Sequence, residues 1–191
     1  FGSMTVLLSD KTGTLTSSET SLAASVDPFG AASERPHLLA YLNASLETGI
    51  RSPLDAAILN YQTLAVDEYR KLDEIPFDFE RRRLSVVVRR NDEHLLIVKG
   101  APESVIAGCT QYEADGLVQR IDAASMERCT RTQEAFGEQG MRVLAVAYRN
   151  VPSQERYATS DEADMTLAGF VLFADPVIPG VAESLRALAQ D

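Results

Sequence analysis

The seven residues Asp10-Lys11-Thr12-Gly13-Thr14-Leu15-Thr16 concentrate the most usable chemistry in the chain. A carboxylate is followed by an ammonium, a glycine and three hydroxyls, and such a loop can surround a phosphate with N–H groups, O–H groups and positive charge. An aspartate so placed can attack a phosphoryl group and become an acyl phosphate. The residue two positions on is Thr12, which cannot supply the proton that a second carboxylic acid there would bring to hydrolysis. An aspartyl phosphate at Asp10 is therefore expected to be long-lived. Taken by itself, so short a segment also fits a solvated polar turn.

Other reactive side chains are few. Cys109 and Cys129 lack metal-type spacing and read as reduced thiols. His37 and His94, the only histidines, have no second ligand at metal spacing, which argues against a histidine-based zinc site. The 28 acidic and 18 basic residues leave a net charge of −10. That balance argues against a nucleic-acid binder, and it requires any site for a polyanion to be locally basic. Clusters of Arg and Lys therefore carry extra weight, and Arg81-Arg82-Arg83, Lys99 and Arg142 are among the basic residues. Each also has a plain reading: a solvated strand edge for the arginine run, a strand-to-helix junction at Lys99-Gly100, and exposed strand charge at Arg142. Phe77 reads by composition as a core residue. Asp55, in the first turn of a helix, is favoured there by the helix dipole.

The elements that would position these residues can be read from the pattern. With 191 residues, 45% hydrophobic and 24% charged, the chain can hold one good-sized domain, or one domain plus a fragment of another. It shows no signal peptide and no stretch of about 18 apolar residues, so taken alone it reads as soluble. Met4 to Ser9 is a short apolar run, a buried strand delivering the Asp10 loop at its end. Ser17 to Ala32, rich in Ser and Ala, reads as linker and loop. Ser33 caps a helix reaching about Thr48, with Gly49 as its stop, and Ser52-Pro53 starts a second. From Leu72 onward strands dominate: Leu84–Arg90 and His94–Lys99 form a hairpin around Asn91-Asp92-Glu93. A short helix begins at Ala101 and stops near Gly108, a second hairpin turns at Asp115-Gly116, and a longer helix spans about Ala123 to Gly140. Met141–Tyr148 and Met165–Phe173 are further strands, separated by an acidic loop, Ser153 to Asp164, read as mobile. Val181 to Ala189 reads as helical. The expected fold is α+β, an antiparallel sheet flanked by helices.

Asp10-Lys11-Thr12-Gly13-Thr14-Leu15-Thr16 is identical to the phosphorylation signature of the P-type ATPases, and the rest of the chain resembles their nucleotide-binding domain. Phe1-Gly2-Ser3-Met4 and the segment Ile75-Pro76-Phe77-Asp78-Phe79-Glu80-Arg81-Arg82-Arg83 are most similar to the bacterial magnesium-importing branch. The likeness covers essentially the whole chain and implies a division into three parts. Residues 1–16 would be a fragment of a Rossmann-like phosphorylation domain of the haloacid-dehalogenase type. Residues 17–172 would be the nucleotide-binding domain, and 173–191 the hinge and the start of the return.

The resemblance also implies roles. Asp10 would be the phosphorylated nucleophile, with Lys11, Thr12 and Thr14 around the phosphate and Asp10 and Thr12 as Mg²⁺ ligands in the full-length pump. Phe77 would stack on adenine, Asp55 would accept its amino proton, and Lys99, with Gly100 beside it, would line the adenine pocket. Arg82 would lie near the nucleotide, and Arg142 would reach the phosphates. Asp175 and Pro176 match the hinge, but Val177-Ile178 stand where the family usually has a second proline and a base, which puts in doubt a basic contact from the hinge to the nucleotide. ATP and Mg²⁺ are the implied ligands, and the phosphorylation, actuator and transmembrane domains of the same pump the implied partners. The implied setting is the cytoplasmic side of a bacterial inner-membrane protein. The fragment is expected to be a monomer that binds ATP without turnover, because the family's downstream acidic Mg²⁺ ligands and phosphate-contacting lysine would follow Asp191. Calcium or another cation is an alternative cargo. A soluble phosphatase with a cap domain is the alternative from another class, and lacks its acid at position 12. A nucleotide-sensing module is a third, and would have no use for Asp10.

Overall fold

The computed structural model describes residues 10, 16, 20–49, 51–175, 178 and 180–188. Lys11, Thr12, Thr14 and Pro176, all named above for chemistry or as hinge, lie outside them, as does the run before Asp10. The described chain builds an eight-stranded sheet: β1 Ser21–Val26, β2 Arg70–Asp78, β3 Arg83–Arg90, β4 Glu93–Gly100, β5 Cys109–Ala114, β6 Leu117–Arg120, β7 Arg142–Val151 and β8 Met165–Ala174. Five helices accompany it: α1 Glu34–Leu46, α2 Pro53–Tyr61, α3 Pro102–Ile106, α4 Ala123–Glu138 and α5 Val181–Leu188. Among the described residues no helix is long and apolar enough to cross a membrane.

Strand order is β2-β3-β4-β7-β8-β5-β6, with β1 also on β8. The pairings are antiparallel except that of β5 with β8, which is parallel. The sheet is therefore mixed within an α+β fold, because β5 reaches β8 through the long excursion of β6, α4 and β7. The valine run of β3 is explained by burial on both faces. Val86 and Val88 pack with α1 and α2, through Leu39, Leu42 and Ile58, while Val87 faces the opposite cluster with Val105 and Cys129. Ile97 against Leu96 and Val98, and Val146 against Ala145 and Ala147, alternate in the same way.

Two segments differ from the sequence expectation. Ser21–Val26, read as linker, is a strand: its Ser and Ala residues carry little strand propensity, and its place is set by pairing with β8, which is buried from Met165 to Phe173. β8 changes partner along that edge, from β5 at Met165–Leu167 to β1 at Phe170–Ala174. Gly169 sits at the switch with φ +137, and any side chain there would run into the Val26 carbonyl. The loop from Ser153 to Asp164 is fastened at several points. The Tyr157 N–H donates to Asp73 Oδ2 at 2.8 Å, its hydroxyl donates to the Pro152 carbonyl at 2.9 Å, and Glu162 is 2% exposed.

Helix starts follow the sequence closely. Ser33 caps α1, its hydroxyl accepting from the Arg35 N–H. At α2 the Ser52 hydroxyl accepts from the Asp55 N–H, while Asp55 Oδ2 accepts from the Ser52 N–H at 3.0 Å and from its hydroxyl at 2.6 Å, with Pro53 in the first turn. Ser52→Ala removes this reciprocal cap and is expected to cost about 1 kcal/mol of stability, read as a lowered midpoint in urea denaturation.

Candidate functional site

A cavity of about 830 Å³ opens where α2, the ends of β2 and β4 and the start of α3 converge. Its floor is polar. Lys99, near the end of β4, carries a side chain only 7% exposed, and its ammonium donates to Asp55 Oδ1 in a short contact. Glu47 Oε2 lies 3.6 Å from the same ammonium. Glu47 is the C-cap of α1, so the turn joining α1 to α2 delivers one carboxyl from each helix to a single lysine. Burial pushes the Asp55 carboxyl up, but the Lys99 charge and the hydrogen bonds from Lys99 and Ser52 outweigh it and hold it below the ordinary range. For Glu47 burial wins over Lys99, and the neighbouring Asp55 adds to it, raising the carboxyl to about 7.

The sign of the Glu47 effect on stability follows. Its folded value lies above the ordinary 4.5, so its contribution is fully present below 4.5 and is lost as pH rises through about 7. Glu47→Gln should flatten this component. Urea denaturation of both proteins between pH 4.5 and 8 should show the parent losing ground relative to the variant across that window.

The mouth of the cavity is aromatic. Phe77, at the end of β2, is 50% exposed, and Phe79, one residue past the strand, is 89% exposed. Their rings meet edge to face, 5.3 Å apart at 87°. Phe77 is thus not the core residue its composition suggests. The turn that follows holds Arg82 at φ +47 and lies against Gly100, where a side chain would collide with the Arg82 carbonyl; the Ala101 N–H donates to that carbonyl at 2.9 Å. Arg82 pairs with Glu103 in α3 at an exposed, short contact.

The other two arginines of the run point away from the cavity to one buried carboxylate. Arg81 Nη1 donates to Glu162 Oε1 and Oε2 at 2.8 and 2.7 Å, and Arg83 Nε donates to Oε2 at 2.7 Å. The Ser85 hydroxyl donates to Oε1 at 2.6 Å. Arg81 also donates to the Pro76 carbonyl and Arg83 to that of Ser104, so Glu162 anchors the turn carrying Phe79 and Arg82 on both sides.

Asp55, Phe77, Arg82, Lys99 and Gly100 all line the cavity. Arg142 does not; its guanidinium lies 3.4 Å from Asp175 Oδ2, and the next two residues, Val143 and Leu144, form wall instead. Asp10 is exposed and is not a lining residue. The expectation of a locally basic site is corrected by the charges present. Glu47, Asp55, Glu74 and Glu103 outnumber Lys99 and Arg82, and both cations are paired. An apolar slot with paired charges suits a heterocyclic base better than a triphosphate. Among the described residues no group of three or more His, Cys, Asp or Glu is placed to hold a metal ion.

Sequence reasoning missed Glu47, Phe79 and Glu162. Glu47 could have been suspected from its position eight residues before Asp55 across a helix–turn–helix, and Glu162 from the need of three consecutive arginines for a partner. For Phe79 the alternating pattern of β2 gave no signal.

Residues 10–180 match the family described as P-type ATPase, cytoplasmic domain N. The chain belongs to the P-type ATPases. The chain is 40% identical over 196 residues to the magnesium-transporting ATPase, P-type 1, of Escherichia coli K12, and 39% identical over 199 residues to the protein of the same name in Salmonella typhimurium LT2. Each alignment takes in 98% of this chain and 22% of the relative. The calcium-transporting ATPase 1 of Lactococcus lactis is 30% identical over 213 residues, covering 97% of this chain and 24% of that protein. The chain thus spans less than a quarter of the length of the curated relatives it matches.

Proposed function

We propose that this chain is the ATP-binding portion of a P-type cation pump, that magnesium is the cargo, and that Asp10 is phosphorylated in the complete protein. The observation that carries the nucleotide reading is the cavity itself. It gathers an exposed aromatic, Phe77, and a buried Asp55–Lys99 pair in one lining, which offers adenine a stacking face and a polar edge. The acidic lining favours the base in the slot and the phosphates outside it, toward Arg82. Affinity for ATP is then modest, since the chain supplies little positive charge to the triphosphate. Mg²⁺ would arrive as the counter-ion of the phosphates. Arg142 and Asp175, paired at the root of β7 and β8, remain candidates for phosphate and hinge contacts after rearrangement of the domains. Magnesium as cargo is supported by the higher identity to the magnesium-transporting relatives than to the calcium-transporting one.

The remaining phosphorylation, actuator and transmembrane domains would be the partners, placing this domain on the cytoplasmic face. In the complete pump Asp10 would attack the γ-phosphate in line once domain closure brings the two sites together. A titration of the isotope-labelled chain with ATP, with and without Mg²⁺, tests the nucleotide reading by NMR. Shifts should cluster at Phe77, Lys99 and Gly100, and Phe77→Ala should weaken binding about tenfold through loss of stacking. Shifts centred elsewhere, or none, would overturn it. ATP hydrolysis by the purified chain should be absent.

A further inference from the structure

The floor of the cavity holds two carboxyls for one ammonium. Asp55 takes the short contact from Lys99 and, in addition, the N–H and O–H of Ser52, so its charge is well satisfied. Glu47 stands 3.6 Å from Lys99 and shares a side-chain hydrogen bond with Asp55; its side chain is 5% exposed and lines the cavity. The other charged groups of the lining are engaged elsewhere. Glu74 on β2 accepts from Lys71 and from the Thr48 N–H and hydroxyl, and Arg82 in the turn pairs with Glu103 of α3. Glu47 is thus a second carboxyl facing the slot, beyond the five cavity-lining residues already assigned.

We infer that Glu47 is a specificity-determining residue, which together with Asp55 surrounds the exocyclic substituent of a purine and selects a 6-amino group over a 6-oxo group. The inference rests on the nucleotide reading above and deepens it. An ionised carboxylate only accepts hydrogen bonds, so two of them around an amino group are matched, whereas a carbonyl oxygen in the same place faces acceptors alone. A protonated carboxyl also carries an O–H donor and can turn it toward a carbonyl oxygen. Discrimination is therefore weakest when Glu47 is neutral and grows as it ionises. The position of its titration, at about 7, places that change in an accessible range. Glutamine at position 47 would tolerate both substituents, because its amide presents a donor or an acceptor by flipping.

ATP and ITP, which differ at the 6-substituent, supply the test. Their dissociation constants are measured on the chain from pH 6 to 8.5 by calorimetry, for the parent, Glu47→Gln and Glu47→Ala, with thermal unfolding used to confirm that each variant is folded. The parent should prefer ATP by about threefold at pH 6 and about tenfold at pH 8. Glu47→Gln and Glu47→Ala should both show a smaller preference that does not change with pH. A purely structural role for Glu47 would lower both affinities together and leave their ratio intact. A ratio equal in all three proteins and flat with pH would overturn the inference while leaving the nucleotide reading standing. Absence of ATP binding to the parent would instead overturn the nucleotide reading, and the inference with it.

Discussion

Glu162→Ala is expected to lower the stability of the domain by about 3–5 kcal/mol, a fall in melting temperature on the order of 10 °C. The size follows from what is left behind. Glu162 is 2% exposed and receives hydrogen bonds from Arg81, Arg83 and Ser85, and removing it strands two partly buried guanidinium groups facing each other. The loss should not stop at stability. Arg81 and Arg83, both tied to Glu162, flank Arg82 at its positive φ, and Phe79 rides on the same turn. ATP affinity should therefore fall severalfold although Glu162 is not among the residues lining the cavity. A double-mutant cycle separates the causes: Arg81→Ala should cost much less in the Glu162→Ala background than in the parent, because its partner is already gone. Additive losses would mean that the three groups do not act as a unit.

Lys99→Met is the second large effect, and its signature is pH. Methionine keeps the length of the buried stem but removes the charge that Asp55 and Glu47 share. Breaking a buried pair in this way costs about 3–5 kcal/mol at neutral pH. Without the ammonium both carboxyls move up, since burial and mutual repulsion are then opposed only by the Ser52 hydrogen bonds to Asp55, and the folded variant binds protons more readily than its unfolded chain. Its contribution follows the sign of a raised carboxyl, with stability regained as pH falls and lost as pH rises. The gap between parent and variant should be widest near pH 8 and should narrow toward pH 5 in urea denaturation. ATP binding should drop more than tenfold at neutral pH. A gap independent of pH would mean that Lys99 supports the site by packing and not by charge.

What the sequence made legible divides along physical lines. Helix starts were readable because capping is local: Ser33, Ser52 and Pro53 act on neighbours within four residues. The β3–β4 hairpin was readable for the same reason, through its valine run and the Asn91-Asp92 turn. β1 was hidden because Ser-Leu-Ala-Ala-Ser-Val becomes a strand through pairing with a partner some 150 residues away, which no window sees. The parallel β5–β8 pairing is a matter of topology and likewise leaves no local trace. At the site, Asp55, Phe77, Arg82, Lys99 and Gly100 converge on one cavity, yet their pairing was not foreseen, since Lys99 is met by Asp55 and Glu47 together and Arg82 by Glu103 of α3. Arg142 shows the converse. Its position at the start of β7 was readable, but its partner, Asp175, lies 33 residues on, just past the end of β8.

The pairing of β1 with β8 has a consequence for any polypeptide that continues beyond both strands. Ser21 stands opposite Ala174, and the Thr20 hydroxyl donates to Asp175 Oδ1 at 3.0 Å, so the two ends of the sheet body leave side by side. An unstructured excursion of this length would impose a loop-closure entropy that grows with the logarithm of its length. Here the folded body has already brought its ends to about one inter-strand spacing, roughly 4.8 Å. To a host chain the whole body is then topologically equivalent to a tight turn. It could be excised, replaced by a short linker, or circularly permuted through that junction with little change in the register on either side.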